Sequence, residues 1–284
     1  MKKTYNFSLS FTKSGGEYLI FGLPKTNHYH QINDYKITPK PYKIFVDKEK
    51  ESRGVIYRLN DVKETIEVEF NLQSHEIDET IPSDLNLSHY EHHMENSILP
   101  DQFINGGDKE VKSLAKKIIK DEKNLQKVIK KLYDFTLTYL TYGKPTTGLY
   151  TYRQAMEERI TDCGGFSTLL ASLLQSVKIP TRLVVGFLIK KNSFTNFRSM
   201  LHVTSYTLKD LSMHAWLEIF IPHSDWFPLD PSIEWRRAKG LTKRMGGFGY
   251  TPADRLVTSF GQNYTIKIDQ KEYQIDLLQH PIYL

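Results

Sequence analysis

The chain has 284 residues, 39% of them hydrophobic and 12% aromatic, enough to bury a core in one large or two ordinary domains and too apolar for a disordered chain. Its net charge of +5 sets 38 basic against 33 acidic residues, no extreme in either direction. A single cysteine excludes an intramolecular disulfide and a Cys-rich zinc site, so a reducing compartment, the cytoplasm, is the expected home.

Met1-Lys2-Lys3 begins with charge, but Thr4, Asn6, Ser8 and Ser10 interrupt the apolar run that a signal peptide needs. No later run is long and apolar enough to predict a membrane span. From Tyr5 to about Ile77 the runs are short and strand-like: Tyr18 to Phe21, Tyr42 to Val46, Val55 to Leu59 and Thr65 to Phe70, the last alternating at period two. Turn residues such as Ser14-Gly15-Gly16 and Asn60-Asp61 separate them, which predicts a small antiparallel β domain. Asp78 to Gly107, rich in Pro, Asn, Ser and His, reads as a linker. The division expected is a β-rich accessory domain with linker at 1–100 and a second domain at 101–284. His89-Tyr90-Glu91-His92-His93 lies in the linker without a metal-ligand pattern, so no metal is expected.

Asp108 to about Leu140 carries helical periodicity with a break near Asp121-Glu122. Val111, Leu114, Ile118, Leu125, Val128 and Leu132 recur at helical spacing, so the lysines between them form a solvated face, and nucleic acid is not an expected partner. Tyr152 to Arg159 predicts a short helix. From Cys163 to about Val177, Phe166, Leu169, Leu170, Leu173, Leu174 and Val177 predict a buried helical stripe that Lys178-Ile179-Pro180 ends. Thr181 to Ile189, His202 to Leu208, His214 to Ile221 and Thr265 to Ile268 read as strands, with Gly240 to Gly249 a flexible loop. The second half is thus a helix packed on an antiparallel sheet, an α+β arrangement.

The lone cysteine stands at the start of that helix, in Thr161-Asp162-Cys163-Gly164-Gly165-Phe166-Ser167. A lone cysteine is most often a small buried hydrophobe, but two glycines and a backbone-rich helix start suit a thiolate and a developing oxyanion. Helix terminus and neighbouring imidazole both lower a thiol pKa, so Cys163 is expected to alkylate well below pH 8. In His214-Ala215-Trp216-Leu217-Glu218-Ile219 the alternation sets His214, Trp216 and Glu218 on one face, with His214 expected to point into a cleft, and Ala215, Leu217 and Ile219 on the face better suited to the core; Trp216, Trp226 and Trp235 are expected to be core packing. Asp230 follows His214 by sixteen residues, enough for a strand, a turn and a return strand. Nucleophile, base and orienting carboxylate are therefore all on hand.

The run from Thr161 to Gly186, with Met213-His214-Ala215-Trp216-Leu217-Glu218 and Trp226-Phe227-Pro228-Leu229-Asp230-Pro231, resembles the core of the bacterial transglutaminase-like superfamily. The resemblance covers about residues 110 to 235. It implies a papain-like α+β core within 101–284, with Cys163 as nucleophile, His214 as general base and acid, and Asp230 as orienting residue. It further implies acyl transfer or hydrolysis at peptide or protein amides through a thioester, with hydrolysis the favoured arm and no cofactor. An aromatic residue upstream of the cysteine is common in that family; Tyr142 matches the position, with Tyr152 and Gln154 as rivals for the oxyanion donor. The competing reading is a non-catalytic module that binds peptides or proteins with the same fold.

Overall fold

The computed structural model describes residues 2–12, 15–63, 65–90, 100–190 and 205–284. The N-terminal region is built from β1 (Lys2–Phe11), β2 (Tyr18–Gly22), β3 (His30–Thr38), β4 (Lys43–Asp47), β5 (Ser52–Arg58), β6 (Ile66–His75) and β7 (Ile77–Asp78). β1 and β3 are additional to the strand-like runs singled out in the sequence. In β1, Tyr5, Phe7, Leu9 and Phe11 are buried, while Thr4, Asn6 and Ser10 face outward. The polar residues that break an apolar leader are thus the solvent side of a strand.

The rest comprises α1 (Lys109–Ile119), α2 (Leu125–Tyr139), β8 (Thr141–Tyr142), α3 (Tyr152–Glu158), β9 (Ile160–Thr161), α4 (Cys163–Ser176), β10 (Thr181–Ile189), β11 (Ser205–Tyr206), β12 (Leu211–Phe220), β13 (Trp226–Leu229), α5 (Pro231–Ala238), β14 (Tyr250–Thr251), β15 (Arg255–Phe260), β16 (Tyr264–Ile268), β17 (Lys271–Ile275) and β18 (Ile282–Tyr283). The helix break falls where Asp121-Glu122 suggested it. Asn124 restarts the chain as N-cap of α2, accepting from the Lys127 amide. The strand read at His202 to Leu208 falls partly outside the described residues. No helix among the described residues is long and apolar enough to cross a membrane.

The central sheet runs β13-β12-β10-β15, antiparallel throughout. α4 lies against it, with Leu169, Leu170, Leu173 and Leu174 packed on Leu183, Val185, Leu217 and Ile219. The sequence stripe understates this helix, because every residue from Gly164 to Gln175 is buried. The other helices of the core wrap its outer side, so its hydroxyls turn inward on the helix: Ser172 Oγ donates to Thr168 O at 2.8 Å and Ser167 Oγ to Cys163 O at 2.9 Å.

Two further four-stranded sheets, β11-β1-β6-β3 and β18-β2-β5-β4, form the N-terminal part. Each includes one strand from beyond residue 200: β11 runs parallel to β1, and β18 antiparallel to β2. Phe187, Ile189, Leu211 and Leu256 of the central sheet or its strand ends join the cluster that holds Phe7, Phe21, Val68 and Phe70. The stretch read as a linker also packs on the core, through Ile81, Leu85, Tyr90, Phe103 and Ile104.

Candidate active site

Asp162 precedes α4 as its N-cap, and its Oδ1 accepts from the amides of Gly164 at 2.9 Å and Gly165 at 3.3 Å. Both amides serve the cap, and that of Gly164 also reaches the Cys163 thiol. Gly165 is required by close approach: a Cβ there would lie 1.9 Å from Thr161 Oγ1. The half-buried Cys163 thiol accepts a hydrogen bond from the Ala215 backbone, which brings the start of α4 against the residue next to His214.

His214 and Asp230 meet through the register of β12 and β13. Leu217 pairs with Leu229, so the strand directions carry Asp230 onto the face of Trp216, one diagonal step from His214. His214 Nε2 donates to Asp230 Oδ2 at 2.8 Å, and the residues are 2% and 1% exposed. With Nε2 committed to the carboxylate, Nδ1 is the nitrogen that can take a proton. Asp230 is itself the N-cap of α5: its Oδ1 accepts from the Ile233 amide at 3.1 Å and the Ser232 hydroxyl at 3.2 Å. Burial alone raises the Asp230 carboxyl, but the imidazole of His214 and the Arg255 guanidinium outweigh it and hold the pKa below its ordinary value.

Arg255 is the part of the site that the sequence did not disclose. Its Nη2 lies 3.3 Å from the same Oδ2 that receives His214, and its Nη1 lies 2.5 Å from Asp254. Asp254 in turn pairs with Arg244 at 3.0 Å. At 1% exposure a guanidinium needs such partners, since an unpaired buried charge is costly. An arginine opening the apolar run Leu256-Val257 is the one signal that could have found it. Arg255 Nη2 also reaches the Met245 carbonyl at 3.4 Å, Arg237 Nη1 donates to the Gly246 carbonyl at 2.6 Å, and the Asp230 amide donates to Gly247 O at 3.1 Å. The segment Gly240 to Gly249, expected as a flexible loop, is fastened to the site at these points.

Two expectations are corrected. The thiol of Cys163 is pushed up from 9.0 to about 12, chiefly by burial and next by the Asp162 carboxylate, against a smaller lowering from the Ala215 backbone. The terminus is not a bare cluster of amides, because an anion already caps it. His214, expected to point into a cleft, is 2% exposed, and Trp216 on the same face is buried as core packing predicts. Residues 28–30 cover that face: Trp216 Nε1 donates to Tyr29 Oη at 2.9 Å, and the fully buried Glu218 is held by His28 at 2.5 Å and Arg182 at 2.8 Å.

Of the three oxyanion candidates, Tyr142 is the one near Cys163. Burial, and next the neighbouring Cys163, raise its phenol to about 12, the Arg236 guanidinium lies over its ring at 4.7 Å, and the ring packs on Phe166. Tyr152 and Gln154 are engaged elsewhere: the Tyr152 hydroxyl donates to Asp108 at 3.0 Å, and Gln154 Oε1 closes a capping box with Thr151. Among the described residues no cluster suited to a metal is present. His89 is tied to Asn86, and Glu91, His92 and His93 lie outside the described residues.

A family model described as the transglutaminase-like superfamily matches residues 112–231, a span that contains Cys163, His214 and Asp230. No curated protein sequence matches the chain. Among solved structures, 92% of the chain aligns with 81% of a proposed cysteine protease from Cytophaga hutchinsonii, at 16% identity and a TM-score of 0.59, a likeness of fold. The periplasmic domain of TgpA from Pseudomonas aeruginosa aligns over 81% of this chain and 75% of its own, at 13% identity and a TM-score of 0.44. Over its α+β core, residues 112–231, the chain matches the transglutaminase-like superfamily.

Proposed function

We propose that the chain is a cysteine enzyme acting on peptide or protein amides, with Cys163 as nucleophile, His214 as general base and acid, and Asp230 as the group that orients the imidazole. The observation that carries this reading is the buried 2.8 Å contact of His214 Nε2 with Asp230 Oδ2, beside a cysteine bonded to the next backbone residue along β12. Cys163 Sγ attacks the amide carbon while its proton passes to His214 Nδ1. The tetrahedral oxyanion takes the Cys163 amide and the Tyr142 hydroxyl, which its raised pKa keeps protonated as a donor. His214 then gives its proton to the departing amine as the C–N bond breaks, leaving a thioester. Water, deprotonated by His214, attacks that thioester; the C–S bond breaks and the thiol recovers its proton. With a primary amine in place of water the same steps form a new amide.

Because the thiol is pushed up to about 12, the thiolate is generated in the attack by proton transfer and is not standing beforehand. Hydrolysis is the favoured arm, in keeping with the Cytophaga hutchinsonii protein described as a proposed cysteine protease. A reducing compartment, the cytoplasm, suits a lone thiol in this role. The raised thiol pKa is also the observation that favours a second reading, a peptide-binding module with a passive cysteine. Mass spectrometry of a peptide library incubated with the chain, with and without a primary amine, separates the cases. Cleavage or deamidation lost in Cys163→Ser supports the hydrolase, and amine incorporation supports the transferase. A library left unaltered in both conditions removes the enzyme reading.

A further inference from the structure

The most exposed large hydrophobic residue among those described is Val46, at 64%, and Ile44 follows on the same strand at 56%. Two residues apart on β4, they share one face, while Phe45 between them turns to the cluster of Tyr18, Ile20 and Ile56. β4 is the last strand of its sheet, paired on one side by β5, and its outer edge carries no strand among the described residues. An open edge with exposed apolar side chains is a template for pairing, which monomeric proteins blunt with charges or bulges.

We propose that β4 pairs antiparallel with β4 of a second copy of this chain, in the register centred on Phe45, so that two four-stranded sheets join across a two-fold axis. Such an axis keeps every side chain on its own face, so the register shifts only in steps of two. Centred on Ile44, the strand would set Lys43 against Phe45. Centred on Val46, it would set Phe45 against Asp47 and Ile44 against Lys48. Centred on Phe45, it sets Lys43 against the partner's Asp47 and Ile44 against the partner's Val46, each twice by symmetry. This register matches charge with charge and apolar with apolar along the whole strand. Lys43 is exposed and donates from Nζ to the Lys267 carbonyl at 3.1 Å, while Asp47 accepts from the Lys50 amide through Oδ1 and pairs with Lys50 Nζ at 3.4 Å through Oδ2; the ammonium keeps further protons and the carboxylate further lone pairs for the cross-strand contact.

Sedimentation of the full chain over a concentration series tests this, with the melting temperature of each variant as a check on folding. The wild type should sediment as a dimer, with the amides of Ile44 and Val46, which face away from β5, gaining protection from hydrogen exchange as concentration rises. Val46→Lys, at an exposed position, should be monomeric. Lys43→Glu, which opposes the partner's Asp47 with a like charge, should weaken dimerisation by about tenfold. A wild-type mass of one chain up to about 100 μM overturns the proposal. So does a dimer unchanged by Val46→Lys, or one lost in Val46→Lys yet unchanged in Lys43→Glu, since the second result removes the register.

Discussion

Asp162 caps the helix that begins at Cys163, and the same carboxylate helps to keep the Cys163 thiol protonated. The two roles are separable by chemistry. Asparagine is as good an N-cap as aspartate but carries no charge, so Asp162→Asn should keep the melting temperature within a few degrees and lower the thiol pKa. Burial is the larger cause and stays in place, so the fall is partial. The pH dependence of iodoacetamide labelling reads it directly. A midpoint identical to wild type would assign the whole elevation to burial.

The raised thiol also makes a stability prediction with a definite sign. Between 9.0 and about 12 the folded chain holds a proton that the unfolded thiol releases, so unfolding free energy falls as pH rises through that window. Buried tyrosines such as Tyr142 act in the same direction, so the quantity to measure is the difference from Cys163→Ser. Denaturant titrations from pH 8 to 11 should show a shallower decline in the variant; parallel curves would contradict the assignment.

Asp230→Asn should retain the fold but lower kcat/KM about a hundredfold, less than in serine triads, because a neutral amide orients histidine in papain-type sites. Asp230→Ala is expected to be worse for a different reason. Both variants remove the charge facing Arg255, but alanine also removes the oxygens that accept from Arg255, His214 and the Ile233 amide and should cost about 3 kcal/mol of stability. Steady-state kinetics and urea unfolding on the two variants separate loss of the charge, common to both, from loss of the acceptor oxygen, which alanine alone suffers.

Arg255 shares Asp230 Oδ2 with His214, so its cation competes with a protonated imidazole for that oxygen. Arg255→Met should therefore move the acid limb of the pH profile of kcat/KM upward, an effect that a purely structural residue would not produce. Equal losses at every pH, with the limbs in place, would make Arg255 a fold residue only.

Gly186 lies opposite His214 on β10, where a Cβ would approach Leu256 O to 2.0 Å. Neither strand can yield without breaking the central sheet, so Gly186→Ala should cost about 2 kcal/mol and lower the melting temperature by roughly 4–8 °C. A melting curve that superimposes on the wild type would mean that β15 can shift.

The elements around the site were legible because their signals are local. Cys163 to Val177 repeats at three and four residues, Thr181 to Ile189 is a bounded apolar run, and the breaks at Asp121-Glu122 and Lys178-Ile179-Pro180 carry ordinary stop chemistry. β3 was not legible, since its inward side is only half-buried and its pattern is weak. Tyr152 and Gln154 misled because an aromatic or an amide upstream of a cysteine carries no direction of its own. The helix α3 turns one to Asp108 and spends the other on its cap.

What the sequence by itself determined was the identity and order of Cys163, His214 and Asp230 and the helix and strands that bear them, because periodicity and motif spacing are properties of neighbours along the chain. Tertiary structure decided the rest. It joined His214 to Asp230 by strand register, closed the Trp216 and Glu218 face with residues 28–30, and set Arg255 against Asp230 from 25 residues away. It also turned the thiol's expected pKa shift around, because burial and an anion at the helix cap act through space and leave no mark in a motif.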